Sequence, residues 1–169
     1  MPLITLAPAV AVAVNIAAWG VCHAATGYAA HRVPRHRLER DVGILKRRRF
    51  EHDGRWYERL RIRRWKDALP EAGALFAGGV SKRHLVTDRS AGEPRRARLE
   101  RFAVETRRAE WGHWAAAACG PLFALWNTPA IAVVMVVYGV VVNAPFIAIQ
   151  RYNRWRIGRV LDRTSGSST

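Results

Sequence analysis

Apolar and polar positions along this chain fall into long separate blocks. Residues 1–30 contain no Asp, Glu, Lys or Arg, and neither does the stretch from Trp111 to Gln150. Nearly every charge lies in 31–110 or after 150. A water-soluble domain mixes the two classes at short range, because each helix or strand needs one wet face. Charge-free blocks beside charge-dense ones predict that a bilayer solvates part of the chain. The expected fold is therefore an all-α integral membrane protein with about three membrane helices. These are one N-terminal span and a C-terminal helical hairpin, with a basic cytoplasmic loop containing interfacial helices between them.

A single unit, 1–169, divides into an apolar helix (3–30), a basic interfacial segment (31–95), a polar helix running into the hairpin (96–149) and a basic tail (150–169). The first block lacks a positive n-region and outruns a typical signal-peptide core, so it is expected to be retained. Asn15 and His23 interrupt it and are expected to hydrogen-bond to neighbouring helices. In the second block, Asn127, Thr128 and Pro129 signal a turn. The arm 129–149 is long enough to span a hydrocarbon core of roughly 30 Å. The arm 111–126 is shorter and must draw on the polar helix before it.

Segment 31–110 holds 23 of the 28 Lys and Arg, and the tail after 150 holds the other five. The positive-inside rule puts both in the cytoplasm of a multi-pass cell-membrane protein. One span followed by a hairpin places loop and tail on the same side, in agreement. Within the loop, Lys46 to Arg49 form a basic cluster and Asp53-Gly54 suggests a tight turn. Residues 55–69 have the spacing of an interfacial amphipathic helix ending before Pro70, although Leu60 and Ile62 also fit strand alternation. Gly73 to Gly79 reads as a loop, 87–95 as a turn-rich linker, and 164–169 as a disordered tail.

Composition changes this picture only in part. The formal charge of +15 would suit a nucleic-acid binder, but such a module does not carry two long apolar blocks, so no nucleic-acid partner is expected. Anionic membrane lipids or a phosphate-bearing substrate fit the charge better. Cys22 and Cys119 lie far apart without CxxC spacing, which indicates neither a zinc site nor a disulfide framework. They are expected to be small packing residues.

The most informative stretch is 96–114 (RARLERFAVETRRAEWGHW). At 100° per residue, Leu99, Phe102, Ala103, Thr106, Glu110 and His113 share one stripe, while Arg101 and Arg108 point the opposite way. Glu110 and His113, one turn apart, carry that stripe to the point where the helix enters the membrane. The pair reads either as a structural hydrogen bond or as a general base, with Glu110 fixing the imidazole while His113 takes a proton from a hydroxyl. A di-metal bundle would need a second Glu-x-x-His motif, so no metal and no cofactor are expected. Glu105 with Arg108, and Arg107 with Glu110, can form helix-surface ion pairs. Lys66, Lys82, Arg151, Asn153 and Arg154 are either snorkelling anchors or phosphate-binding groups for an acyl donor. Position alone leaves both open.

Trp65-Lys66-Asp67, Ser81-Lys82, Arg101-Phe102, the run Glu105-Thr106-Arg107-Arg108-Ala109-Glu110 with His113-Trp114, Asn127, Asn143 with Pro145, and Gln150-Arg151-Tyr152-Asn153-Arg154 occur in consistent order. Together they resemble the glycosyl-4,4'-diaponeurosporenoate acyltransferase family across roughly 56–156. The resemblance implies transfer of a fatty acyl group, from acyl-CoA or a similar cytoplasmic donor, to a sugar hydroxyl of a glycosylated carotenoid or similar apolar glycolipid. That is the last step of a staphyloxanthin-like pigment pathway. It further implies that Lys66, Glu105, Arg107, Arg108, Asn143, Gln150, Arg151, Asn153 and Arg154 contact substrate around His113 and Glu110. No Ser or Cys nucleophile is placed for an acyl-enzyme, so direct attack by the sugar hydroxyl is the expected route. Arg107, Asn143 and Arg151 are the candidate oxyanion stabilisers. Two rivals remain at this level: a membrane lipid methyltransferase, against which no glycine-rich cofactor loop is visible, and a non-enzymatic basic scaffold anchored in the membrane.

Overall fold

The computed structural model describes residues 2–69 and 94–166. The described residues are helical, without strands. Helix α1 spans Pro8–Arg32, α2 Arg55–Arg59, α3 Ile62–Trp65, α4 Arg95–Ala118 and α5 Pro129–Gly166, with short 3-10 turns between α1 and α2 and at Gly120–Leu125. The expected loop at 73–79, Ser81-Lys82 and most of the 87–95 linker lie outside the described residues.

Helices α4 and α5 form an antiparallel pair. Glu110 meets Arg151 at one end, and Gly120 meets Val136 at the other. Helix α1 packs antiparallel to α4 and therefore parallel to α5. Ala30 lies against Gly112, Trp19 stacks on Phe123, and Asn15 bonds Trp126 and Asn127. Asn15 thus finds the interhelical partners its place in an apolar block demands. One end of the three-helix array gathers Arg107, Arg108, Arg151 and Arg154, whereas the end holding Leu125 and Asn127 is uncharged.

Two helices, α1 and α5, are long and apolar enough to cross a membrane. The third span counted from sequence is not one continuous helix. Its arm 111–126 splits into the last turns of α4 and the 3-10 turn Gly120–Leu125. Pro121 lacks the N–H that would continue the helix. The apolar faces of α1 and α5 point outward: Ile16 is 72% exposed and Val133 62%.

Other expectations are modified by tertiary contacts. Residues 55–69 are not one amphipathic helix, because Arg61 takes a left-handed conformation (φ 52°) between α2 and α3. The turn at Asp53-Gly54 forms, with Gly54 at φ 89°, a backbone conformation that favours glycine, and a Cβ there would stand a tight 3.0 Å from Trp155 Cβ. Helix α5 runs on through 164–166, so the expected disordered tail begins as helix. Arg108 does not point to solvent. Its Nη1 donates to the carbonyls of Ala30, His31 and Val33 at 2.7–2.8 Å, supplying the donors and the favourable charge that the bare carbonyls at the C-terminus of α1 require.

Two apolar clusters brace the basic end. Tyr57, Ile62, Ile149 and Tyr152 form one, and Leu38, Leu45 and Val104 the other. At the uncharged end, Gly120 permits the closest approach of α4's terminus to α5. A Cβ at 120 would sit 2.8 Å from the Val136 Cα, so backbone rather than a flexible side chain must give way. Gly120→Ala is expected to cost about 1–3 kcal/mol, read as a lower thermal midpoint in detergent, whereas the exposed Leu122→Ala should leave the midpoint nearly unchanged.

Candidate active site

The site is built on a carboxylate that cannot stay charged alone. Glu110 on α4 is 0% exposed. An isolated ion in that setting costs several kcal/mol of lost hydration, and two guanidiniums from α5 answer it. Arg151 Nε donates to Glu110 Oε1 at 2.7 Å, and Arg154 Nη1 pairs with Oε2. The Trp114 indole adds a hydrogen bond to Oε1 at 3.1 Å. Residues 151 and 154 are three apart on α5, so one face delivers both cations.

Those arginines in turn hold the segment between α1 and α2. Arg151 Nη1 reaches Glu51 Oε1 at 2.7 Å, and Nη2 donates to the Ile44 carbonyl at 2.5 Å. Glu51 also accepts the Tyr57 hydroxyl at 2.6 Å, the Trp155 indole at 3.0 Å and the Arg48 backbone N–H at 2.9 Å. Arg154 reaches the Leu45 carbonyl at 3.2 Å and lies 3.5 Å from Asp41 Oδ1. Asp41 accepts from Arg107 at 2.6 Å and from Arg47 at 2.9 Å, and Arg47 covers the Trp155 ring. Three carboxylates thus meet four guanidiniums, a surplus of one positive charge.

Burial alone would raise the Glu51 carboxyl. The donors from Tyr57, Arg48, Arg151 and Trp155 outweigh it and hold it below its ordinary value. Asp41 behaves likewise: burial pushes it up, and Arg107 with Arg154 and Arg47 bring it down. Tyr57 is pushed well above the ordinary phenol value by burial and by the carboxylate it donates to.

His113 is not part of this network. The expected Glu110–His113 pair does not form, because Oε1 already accepts from Arg151 and Trp114 and Oε2 is ion-paired with Arg154. His113 Nδ1 instead lies 2.9 Å from Asn143 Oδ1, and its ring stacks on Phe146 at 4.7 Å. Asn143 is 1% exposed, and its Nδ2 donates to the Gly139 carbonyl at 2.8 Å. That bond fixes the amide orientation and presents an acceptor to the histidine. Nδ1 therefore carries the proton, and Nε2 keeps its lone pair.

The remaining sequence candidates scatter. Glu105 pairs with Arg108 at 3.2 Å, serving the α1 terminus. Lys66 pairs with its neighbour Asp67, and Gln150 is half-buried without a hydrogen bond to the network. Asn153 is buried, and its Nδ2 has no hydrogen-bond partner among the described residues. Sequence reasoning missed Asp41, Glu51, Tyr57 and Trp155. No spacing in the sequence singles them out, because acids are spread throughout the basic segment.

Beside the network runs a groove of about 370 Å³. Val140, Ala144, Ile147 and Ala148 of α5 form one wall, and Trp114 and Ala117 of α4 another. Phe50, Trp56 and Tyr57 cover it, and Arg48 and Arg151 stand at its polar end. His113 does not line it.

The geometry defines a helical protein with a base-competent histidine, a buried arginine–carboxylate clamp and an apolar groove beside them. The chain belongs to the glycosyl-4,4'-diaponeurosporenoate acyltransferase family, whose model matches residues 41–163, and it is an acyltransferase. Proteins of that name from Staphylococcus aureus are its relatives. The one from strain bovine RF122 / ET3-1 is 29% identical over 132 residues, covering 77% of this chain and 75% of the relative. The one from strain USA300 is 28% identical over the same shares. No solved structure is significantly similar to the chain.

The network generates a pH dependence. Because Asp41 and Glu51 are held below their ordinary values, their contribution to stability is complete above about pH 4 and is lost as pH falls through the folded values. Glu51→Gln, which leaves Arg151 partly unpaired, is expected to cost about 3–5 kcal/mol and to flatten the acid limb. Thermal midpoints from pH 3 to 7 in detergent check both points.

Proposed function

We propose that the chain moves a fatty acyl group from a cytoplasmic acyl-CoA, or a similar carrier thioester, to a sugar hydroxyl of a glycosylated carotenoid acid or related apolar glycolipid. The relatives' name supplies the acceptor class. The observation that carries the chemistry is the Asn143–His113 bond, which places the proton of the neutral ring on Nδ1 and leaves Nε2 as the nitrogen able to accept a proton.

In this reading His113 takes the sugar hydroxyl proton as the oxygen attacks the acyl carbonyl. A C–O bond forms, the C–S bond to the carrier breaks, and the proton passes from His113 to the departing thiolate. Of the three candidate oxyanion stabilisers, Arg151 is favoured. Its five N–H groups make three hydrogen bonds, leaving two free among the described residues, and it lines the groove. Neither Asn143 nor Arg107 lines it. Glu110 is a positioning residue that holds Arg151 and Arg154.

A membrane setting supports this use. The outward apolar faces of α1 and α5 suit hydrocarbon, where an apolar acceptor resides. Their shared basic end suits the cytoplasmic leaflet of the cell membrane, with its anionic lipids. The sugar would then meet His113 close to the head-group level.

His113→Ala is expected to lower turnover by about 10²–10⁴-fold while the protein accumulates and stays helical. Lipid extracts of cells supplied with the glycosylated acceptor, analysed by mass spectrometry, read the product. Wild-type product from a well-accumulated His113→Ala protein would refute the base assignment. Glu110→Gln should instead lower the amount of folded protein.

A further inference from the structure

The groove between α4, α5 and the segment 44–57 is a built cavity to which neither the family name nor the histidine assigns a ligand. Its α5 wall runs from Val140 to Arg151, about 16 Å along the axis at 1.5 Å per residue. The wall is apolar over most of that length and turns cationic at one end. The deep end is Val140 and Ala117, beside the exposed Val137 and Val141. The other end is Arg151 and Arg48. Ala117, Ala144 and Ala148 keep the floor free of long side chains. Arg48 has no carboxylate ion-pair partner among the described residues, so it adds a cation to the surplus charge of the network beside it. A cavity of about 370 Å³ is small among ligand sites and suits one flexible chain rather than a two-chain lipid.

We infer that this groove binds the acyl donor. The fatty chain lies along Ala148 and Ala144 toward Val140, the carbonyl stands at Arg151, and the phosphate-bearing carrier leaves past Arg48. This assignment rests on the acyl-transfer reading for its choice of ligand, and it identifies Ala144 as a chain-length determinant. Ala144 is seven residues from Arg151, about 10 Å along α5, beyond the reach of a short acyl chain but within that of a long one. The Arg48 cation complements the anionic carrier of a thioester donor, and the apolar floor excludes a free sugar phosphate as occupant.

The test is equilibrium binding of palmitoyl-CoA and octanoyl-CoA to the full chain in phosphatidylcholine nanodiscs, with no acceptor present. Wild type should bind palmitoyl-CoA. Ala144→Leu should weaken palmitoyl-CoA at least about tenfold while changing octanoyl-CoA little, as expected when several methylenes lose their place. Val140→Trp, at a half-exposed position that tolerates bulk, should give the same chain-length signature and guards against misfolding of the first variant. Arg48→Glu should weaken both ligands, more so at low salt. His113→Ala should keep wild-type affinity. Wild type that fails to bind palmitoyl-CoA, or folded Ala144→Leu and Val140→Trp proteins with unchanged chain-length preference, would overturn the assignment. A bilayer lipid as the native occupant would give that second result. Binding with the expected signature but no acylated glycocarotenoid would leave the groove assigned and sink the acceptor reading instead.

Discussion

Everything at the basic end depends on the buried charge of Glu110. A carboxylate with 0% exposure survives ionised only where cations and hydrogen-bond donors replace its lost hydration. Arg151 and Arg154 do so, and each has capacity left to bind something else. Through Arg151 the charge reaches Glu51 and the Ile44 carbonyl; through Arg154 it reaches Asp41 and the Leu45 carbonyl. One acid on α4 therefore fixes α5 alongside it and folds the segment 41–57 over both. That cover roofs the groove with Phe50, Trp56 and Tyr57. A hydrophobic replacement of equal volume could pack α4 on α5, but it would hold nothing over them.

The clamp and His113 occupy neighbouring turns of the same helix without sharing a hydrogen bond. Glu110 is spent on arginine, and His113 is oriented from α5 by Asn143, itself locked by the Gly139 carbonyl. This separation matters for the proposed reaction. A carboxylate bound to His113 would favour imidazolium, whereas a neutral amide acceptor sets the tautomer while leaving the ring neutral. In the proposed reaction the neutral ring serves as the proton acceptor, and Arg151 stabilises negative charge on the acyl carbonyl oxygen.

Much of the architecture was legible in the sequence because it follows from block patterning. The charge-free runs 1–30 and 111–150 mark α1, the end of α4 and most of α5, and the run 96–114 marks the helix that carries the site. The Asn15 partnership follows from the cost of an unpaired amide in an apolar block. What periodicity could not supply was the choice of partner. Glu110 and His113 sit one turn apart, yet a guanidinium forty-one residues away in sequence outcompetes the local imidazole. Asp41 and Glu51 sit in the short segment between α1 and α2, where no long period exists, and their pairing is decided by arginines on α4 and α5. Arg108 reads as a solvent-facing residue on a helical wheel, until α1 ends beside it with bare carbonyls. Short-range pattern predicted the elements, and long-range charge pairing decided the site.

The central claim is that His113 is held as a neutral base with its proton on Nδ1. Nitrogen-15 NMR of the histidine-labelled protein near neutral pH, with His113 assigned by its loss in His113→Gln, reads this directly. The account predicts a protonated, pyrrole-type Nδ1 and an unprotonated, pyridine-type Nε2, with that preference lost in Asn143→Leu. A predominant Nε2-protonated tautomer, or an imidazolium, would contradict it.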